Sequence, residues 1–172
     1  LYVTDPLTSL YNRRGFFRTY NDYAEGGVKD DCMVISVDLD NLKLINDNFG
    51  HNEGDNAILT MANALKSAAD ENDICARFGG DEYVVFGKGK GEYEMTAYID
   101  KVNEYLDKYN LSSNKPYNVH GSFGGCIMPK GTKMHIDYYI NAADSKMYVD
   151  KETHKRTRML YSYNKDDRES EK

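Results

Sequence analysis

Two pairs of acids stand where short apolar runs end. Asp38 and Asp40 flank Leu39 after the run at 32–37, and Asp81 and Glu82 lie between the runs at 74–78 and 83–86. Side chains two apart in a strand point the same way, so Asp38 and Asp40 would sit together beyond a sheet edge. Gly79-Gly80 between the second pair of runs is a hairpin signal, because paired glycines tolerate positive φ at a tight turn. If that hairpin lies beside the first strand, Asp81 approaches Asp38, and the two line an oxygen pocket of the kind Mg2+ takes. A metal there would activate a sugar hydroxyl and neutralise a triphosphate during in-line attack. Acids at strand ends and hairpin tips are more often ordinary solvated turn residues. Spacing alone leaves both readings open.

The elements that must position these acids follow from periodicity. Phe16, Phe17, Tyr20 and Tyr23 recur at helical spacing over 12–24, and Gly26-Gly27 ends that helix. Residues 32–37 read as a buried strand, followed by a helical stretch that ends near Gly50-His51. Ile58, Met61, Ala62, Leu65 and Ala69 make the apolar face of a helix over 56–69. After the hairpin, Met95, Tyr98, Ile99, Val102, Leu106 and Tyr109 mark another helix. A glycine-bearing strand over 117–128, a helix over 136–149 and a last edge strand over 159–163 complete the chain. The pattern predicts an α/β sandwich, a central mixed sheet flanked by helices, as one domain over 1–163 with a polar, frayed tail at 164–172.

Composition narrows the function classes. With 172 residues the chain can bury one core, and 40% apolar with 29% charged residues is an ordinary globular balance. A net charge of −6 argues against a nucleic-acid binder that works by broad phosphate neutralisation. No apolar run approaches the ~20 residues of a membrane span, so no membrane contact is expected, and no signal peptide opens the chain. Because Leu1 stands where methionine would, the chain reads as a piece of a longer protein. Cys32, Cys75 and Cys126 read as reduced, strand-buried thiols of a cytoplasmic protein. Gly87-Lys88-Gly89-Lys90-Gly91 lacks the ending of a phosphate-binding loop and reads as a solvated connection. Gly121-Ser122-Phe123-Gly124-Gly125 reads as a close-packed strand. His120, His135 and His154 show no metal spacing.

Four ordered blocks carry a resemblance to a known family. They are residues 5–14 (DPLTSLYNRR), Asp38-Leu39-Asp40-Asn41-Leu42-Lys43 with Asn46-Asp47, Gly50-His51-Asn52-Glu53-Gly54-Asp55, and Arg77-Phe78-Gly79-Gly80-Asp81-Glu82-Tyr83. In this order and spacing they resemble the GGDEF domain, the diguanylate cyclase family, whose fold is similar to the palm of nucleotidyl cyclases and polymerases. The resemblance implies that the chain condenses two GTP into cyclic di-GMP with release of pyrophosphate, as output domain of a bacterial signalling protein with an N-terminal sensory domain. It implies that Asp38, Asp81 and the Leu39 carbonyl hold Mg2+, or Mn2+ in its place, and that Glu82 acts near the attacking 3′-hydroxyl. Lys43, Lys151 and Lys155 would hold the triphosphate, Asn46 and Asp55 would read guanine, and Gly79-Gly80 would let phosphate approach the backbone. Each domain would bind one GTP, so catalysis would need a homodimer.

The chain also departs from the family pattern. Tyr83 replaces a phenylalanine of the signature, and its ring should pack into the sheet with the hydroxyl on a partner. After the last helix the family reads tyrosine, x, alanine, lysine, x, x, glycine, arginine, asparagine. Here the stretch is Tyr148-Val149-Asp150-Lys151-Glu152-Thr153-His154-Lys155-Arg156, so Lys155 offers a point charge where a bidentate arginine is usual. The product-inhibition motif of relatives, Arg-x-x-Asp, is Asp70-Glu71-Asn72-Asp73 here, and the acid in place of arginine predicts no inhibition through that site. Two rivals stand beside the cyclase: a catalytically silent GTP-binding GGDEF regulatory module, and a cyclase making a different cyclic dinucleotide.

Overall fold

Asn12 starts the first helix, α1 (Arg13–Ala24), by accepting the Gly15 N–H on its side chain at 2.8 Å. A computed structural model describes the backbone of residues 2–170 and the side chains of 2–157. The first strand, β1 (Cys32–Leu39), is buried along its whole length. It leads into α2 (Leu42–Phe49) and α3 (His51–Ala68), then the hairpin β2 (Asp73–Arg77) and β3 (Glu82–Lys88), then α4 (Glu92–Ser112), β4 (Gly121–Met128) and α5 (Ile136–Ser170). The sheet order is β2-β3-β1-β4.

Alternation along β1 divides the core between two faces. Met33, Ile35, Val37 and Leu39 pack with Met61 and Leu65 of α3 and Tyr98, Val102 and Leu106 of α4. Cys32 and Val34 pack with Phe16 and Tyr20 of α1 and Ile136 and Ala143 of α5. On β4, Gly124 lets α5 lie against the sheet: a Cβ there would stand 2.1 Å from the Met147 nitrogen and 2.2 Å from the Ala143 oxygen. The close-packed strand expected at 121–125 is observed. So are the free cysteines, of which Cys32 and Cys75 are buried in strands and Cys126 partly buried. Among the described residues no helix is long and apolar enough to cross a membrane.

The architecture is α/β as expected, with five corrections. All three ladders are antiparallel rather than mixed, and the parallel pairing present is an isolated Tyr11–Ala76 bridge. The reason is topological: β1 and β2 run the same way, but the hairpin folds β3 back between them, so the parallel pair never meets. The helix expected over 56–69 begins earlier, at His51, because Gly50 at φ 91° breaks the chain between α2 and α3 and its carbonyl accepts the Glu53 and Gly54 N–H groups, both at 3.1 Å. The edge strand expected at 159–163 is instead a continuation of α5. A short apolar run suits either state, and extending an existing helix adds one hydrogen bond per residue without a partner strand. The strand expected over 117–128 starts at Gly121. The polar tail is helical through Ser170, and Glu171 and Lys172 lie outside the described residues.

Candidate active site

The end of β1 is held from both sides. The Leu39 N–H donates to the Asp81 carbonyl at 2.8 Å, and the Asp40 N–H donates to the His120 carbonyl at 2.9 Å. Register places Asp38 opposite Glu82 on β3 and opposite Ser122 on β4, so these side chains share the α5 face of the sheet. The chain then turns through Asn41, which adopts a left-handed φ of 63° that asparagine tolerates better than most residues, and enters α2.

Asp38 is the electrostatic centre. Its carboxyl is buried, one oxygen accepts from the Lys151 ammonium, and the other, Oδ1, is buried with no hydrogen-bond partner among the described residues. Burial is the main cause that pushes the Asp38 pKa up to about 6; Lys151 opposes the rise and the neighbouring Asp81 carboxyl adds to it. Burial alone would lower the Lys151 pKa, but its bond to Asp38 outweighs that and holds the ammonium above its ordinary value. Among the described residues no three His, Cys, Asp or Glu side chains converge as a metal cage. Two carboxylates and a carbonyl are nevertheless a fitting partial set for a hard cation that keeps waters. The orphaned Oδ1 beside Asp81 is the position such an ion would satisfy.

The turn beside Asp38 is strapped by Arg77, a residue of the signature block whose type and spacing signal no role of its own. The Arg77 guanidinium donates to the Gly79 carbonyl at 3.1 Å and the Gly80 carbonyl at 3.0 Å, and pairs with Asp5 at 3.2 Å. Asp5 in turn accepts the Thr8 N–H and hydroxyl, so the block at 5–14 anchors the Gly79-Gly80 turn. Tyr83 is fully buried and its hydroxyl donates to the Ile58 carbonyl at 2.8 Å, as the ring's amphipathic character predicted. Glu82 is exposed on the rim.

The remaining expected residues divide into two groups. Lys43 and Asn46 lie one turn apart on α2, on one face. Asn46 rests on Gly54 of α3: a Cβ on Gly54 would fall 1.7 Å from its Oδ1. Asp55, exposed, is the next residue on α3, so Asn46 and Asp55 are neighbours across the α2–α3 contact. On α5, Lys151 reaches Asp38, whereas Lys155 is exposed and lies 3.5 Å from Glu152. Asp40 is also buried, bonded to Ser122 and His154. His154 lacks metal spacing in the sequence, and nothing along the chain signals this contact, because it joins residues 114 apart.

The Asp70-Glu71-Asn72-Asp73 stretch is closed on itself. Lys90, from the glycine-rich connection after β3, lies 2.9 Å from Asp70 and 2.7 Å from Asp73, and Asp73 also accepts the Asp70 N–H.

The diguanylate cyclase GGDEF domain model matches residues 2–157. The chain belongs to the GGDEF domain family. This GGDEF domain is 30% identical over 158 residues to the diguanylate cyclase DgcP of Escherichia coli, a match that covers 90% of the chain and 46% of that protein. It is 32% identical over 149 residues to the probable diguanylate cyclase DgcC of the same organism, covering 84% of the chain and 39% of DgcC. It thus spans less than half the length of these curated relatives. In fold, it is similar to the GGDEF domain of DgcB from Caulobacter crescentus, solved in complex with c-di-GMP, with a TM-score of 0.75 at 24% identity, covering 88% of this chain and 91% of that one. It is also similar in fold to SiaD from Pseudomonas aeruginosa, solved in complex with its activator SiaC, with a TM-score of 0.78 at 24% identity, covering 88% and 58%.

Proposed function

We propose that this GGDEF domain is a diguanylate cyclase, joining two GTP into cyclic di-GMP with release of two pyrophosphates. The observation that carries the reading is the buried, unpartnered Oδ1 of Asp38, set beside Asp81 and on one sheet face with Glu82. Asp38, Asp81 and the Leu39 carbonyl would hold Mg2+, or Mn2+ in its place, which when bound neutralises the triphosphate and acidifies the 3′-hydroxyl. Lys151 exchanges its bond with Asp38 for the phosphates, and Lys43 approaches them from α2. Glu82 stands at the rim, where it takes part in moving the hydroxyl proton. Asn46 and Asp55 read the base: a carboxylate accepts from the ring N–H and the exocyclic amine of guanine, a donor pair adenine lacks. The Arg77 strap keeps Gly79-Gly80 in a fixed turn against which phosphate lies.

Each domain contributes one such half-site, so two copies meet face to face and each 3′-hydroxyl attacks the α-phosphate opposite. Most of the acceleration comes from holding both nucleotides in register. The domain acts in the cytoplasm as output of a larger signalling protein with an N-terminal sensory part. A second reading, a GTP-binding module without turnover, is favoured by Lys155, which replaces the usual arginine and turns toward Glu152. The test is to incubate the domain, concentrated or fused to a dimeriser, with GTP and Mg2+ and identify the product by mass spectrometry. Cyclic di-GMP is expected. GTP binding without product establishes the silent module instead, and a cyclic dinucleotide containing adenine, from mixed nucleotides, overturns the guanine assignment.

A further inference from the structure

The last family motif is where this chain departs most. Alanine and glycine of the pattern are Asp150 and His154 here, and both are engaged. The Asp150 carboxylate accepts the Phe123 N–H of β4 at 2.9 Å and lies 3.6 Å from His154 Nε2. His154 Nδ1 is 3.0 Å from Asp40 Oδ2 and 3.0 Å from Ser122 Oγ. The Ser122 hydroxyl donates to Asp40 Oδ1 at 2.7 Å, so its hydrogen is committed and Nδ1 carries the proton that reaches Asp40. Serine, histidine and aspartate therefore form no nucleophilic triad: both partners use the same ring nitrogen, and Ser122 is fully buried.

The two attachments run in the same order along strand and helix, and the flexible side chains take up the difference in rise. Asp38 and Asp40 on one sheet face are about 6.6 Å apart along the strand, and Lys151 and His154 rise about 4.5 Å along one face of α5. One helix face thus grips the strand end by two pins, Lys151 on Asp38 and His154 on Asp40. We propose that His154 is a positioning residue for Lys151: it holds α5 on the strand end while Lys151 leaves Asp38 for the phosphates of the nucleotide. The glycine of the family pattern has no side chain to do this, so the device belongs to this chain. The inference rests on the nucleotide-binding reading above.

The test measures binding of a nonhydrolysable GTP analogue with Mg2+ by calorimetry, so no turnover is needed, alongside thermal melting. His154→Leu keeps bulk and removes the donor; affinity is expected to fall about tenfold while the fold stays intact. His154→Asn, whose amide nitrogen takes the place of Nδ1, is expected to recover affinity to within about twofold of wild type. In a Lys151→Met background, His154→Leu is expected to cost less than about twofold, because its effect runs through the missing ammonium. An equal loss in both backgrounds, or no rescue by asparagine, makes His154 merely structural and overturns the proposal. A wild-type domain that binds while His154→Leu matches it overturns this inference alone. A wild-type domain that binds no analogue overturns the nucleotide reading and the inference with it.

Discussion

Two acidic clusters, each with a lysine, differ in how completely they are satisfied. At Asp70 and Asp73 every charge is answered: Lys90 spans both carboxylates, and Asp73 accepts a backbone N–H as well. At Asp38 the pairing is partial, because Lys151 takes one oxygen, the second is buried with no partner among the described residues, and Asp81 adds like charge. A satisfied cluster is structural cement. A buried carboxylate left short of a partner retains the capacity to bind a cation, and that shortfall marks the site more reliably than the count of acids.

The largest expected effect that tests this contrast is on turnover. Asp81→Asn removes the charge proposed to hold the metal while keeping the shape, and on that proposal product formation is expected to fall by about a thousandfold, the loss of several kcal/mol of transition-state stabilisation. Melting curves should remain cooperative, and retained activity would refute the metal role of Asp81.

Next comes the response to metal as pH changes. The Asp38 pKa is raised from 3.8 to about 6, so between these values the folded domain keeps a proton that the unfolded chain has released. Its contribution to stability is therefore present at low pH and lost as pH rises through about 6. A cation that binds the ionised form offsets that loss. The stabilisation by Mg2+, about 2.7 kcal/mol at a hundredfold excess over its Kd, should thus be full at pH 8 and fade below about 6. Denaturant melts with and without Mg2+ check this, and a pH-independent increment would place the cation elsewhere.

Lys90→Ala should cost about 2 kcal/mol in the same melts, since it leaves the buried Asp73 carboxylate uncompensated, yet keep the Mg2+ response. Cyclic di-GMP added to active wild-type domain should not inhibit through Asp73; inhibition lost on Asp73→Ala would break the picture of a closed cluster. The smallest effect is expected for Tyr83→Phe, about 1 kcal/mol for the hydrogen bond to the Ile58 carbonyl, with turnover per folded molecule nearly unchanged.

Much of the candidate site is legible in the sequence, because its parts are local. The β2–β3 hairpin, the same-face acids at the end of β1 and the buried Tyr83 depend on patterns that act over a few residues, although neither Gly79 nor Gly80 adopts the positive φ that the paired glycines suggested. Legibility fails where a choice depends on distant partners. Residues 159–163 have the composition of a strand, and the propagation of α5 makes them helical. His154 carries no signal in the sequence because Asp40 lies 114 residues away.

By itself, the sequence determined the family, the α/β alternation and the acids that could meet a metal, since these follow from residue types at short spacing. Only the tertiary structure decided that β3 folds between β1 and β2, that Asp38 keeps an unpartnered oxygen, and that Lys151 and His154 pin one helix face to the strand end. Burial and pairing are sums over groups from remote segments. No local pattern carries them until packing brings those groups within a few ångströms of one another.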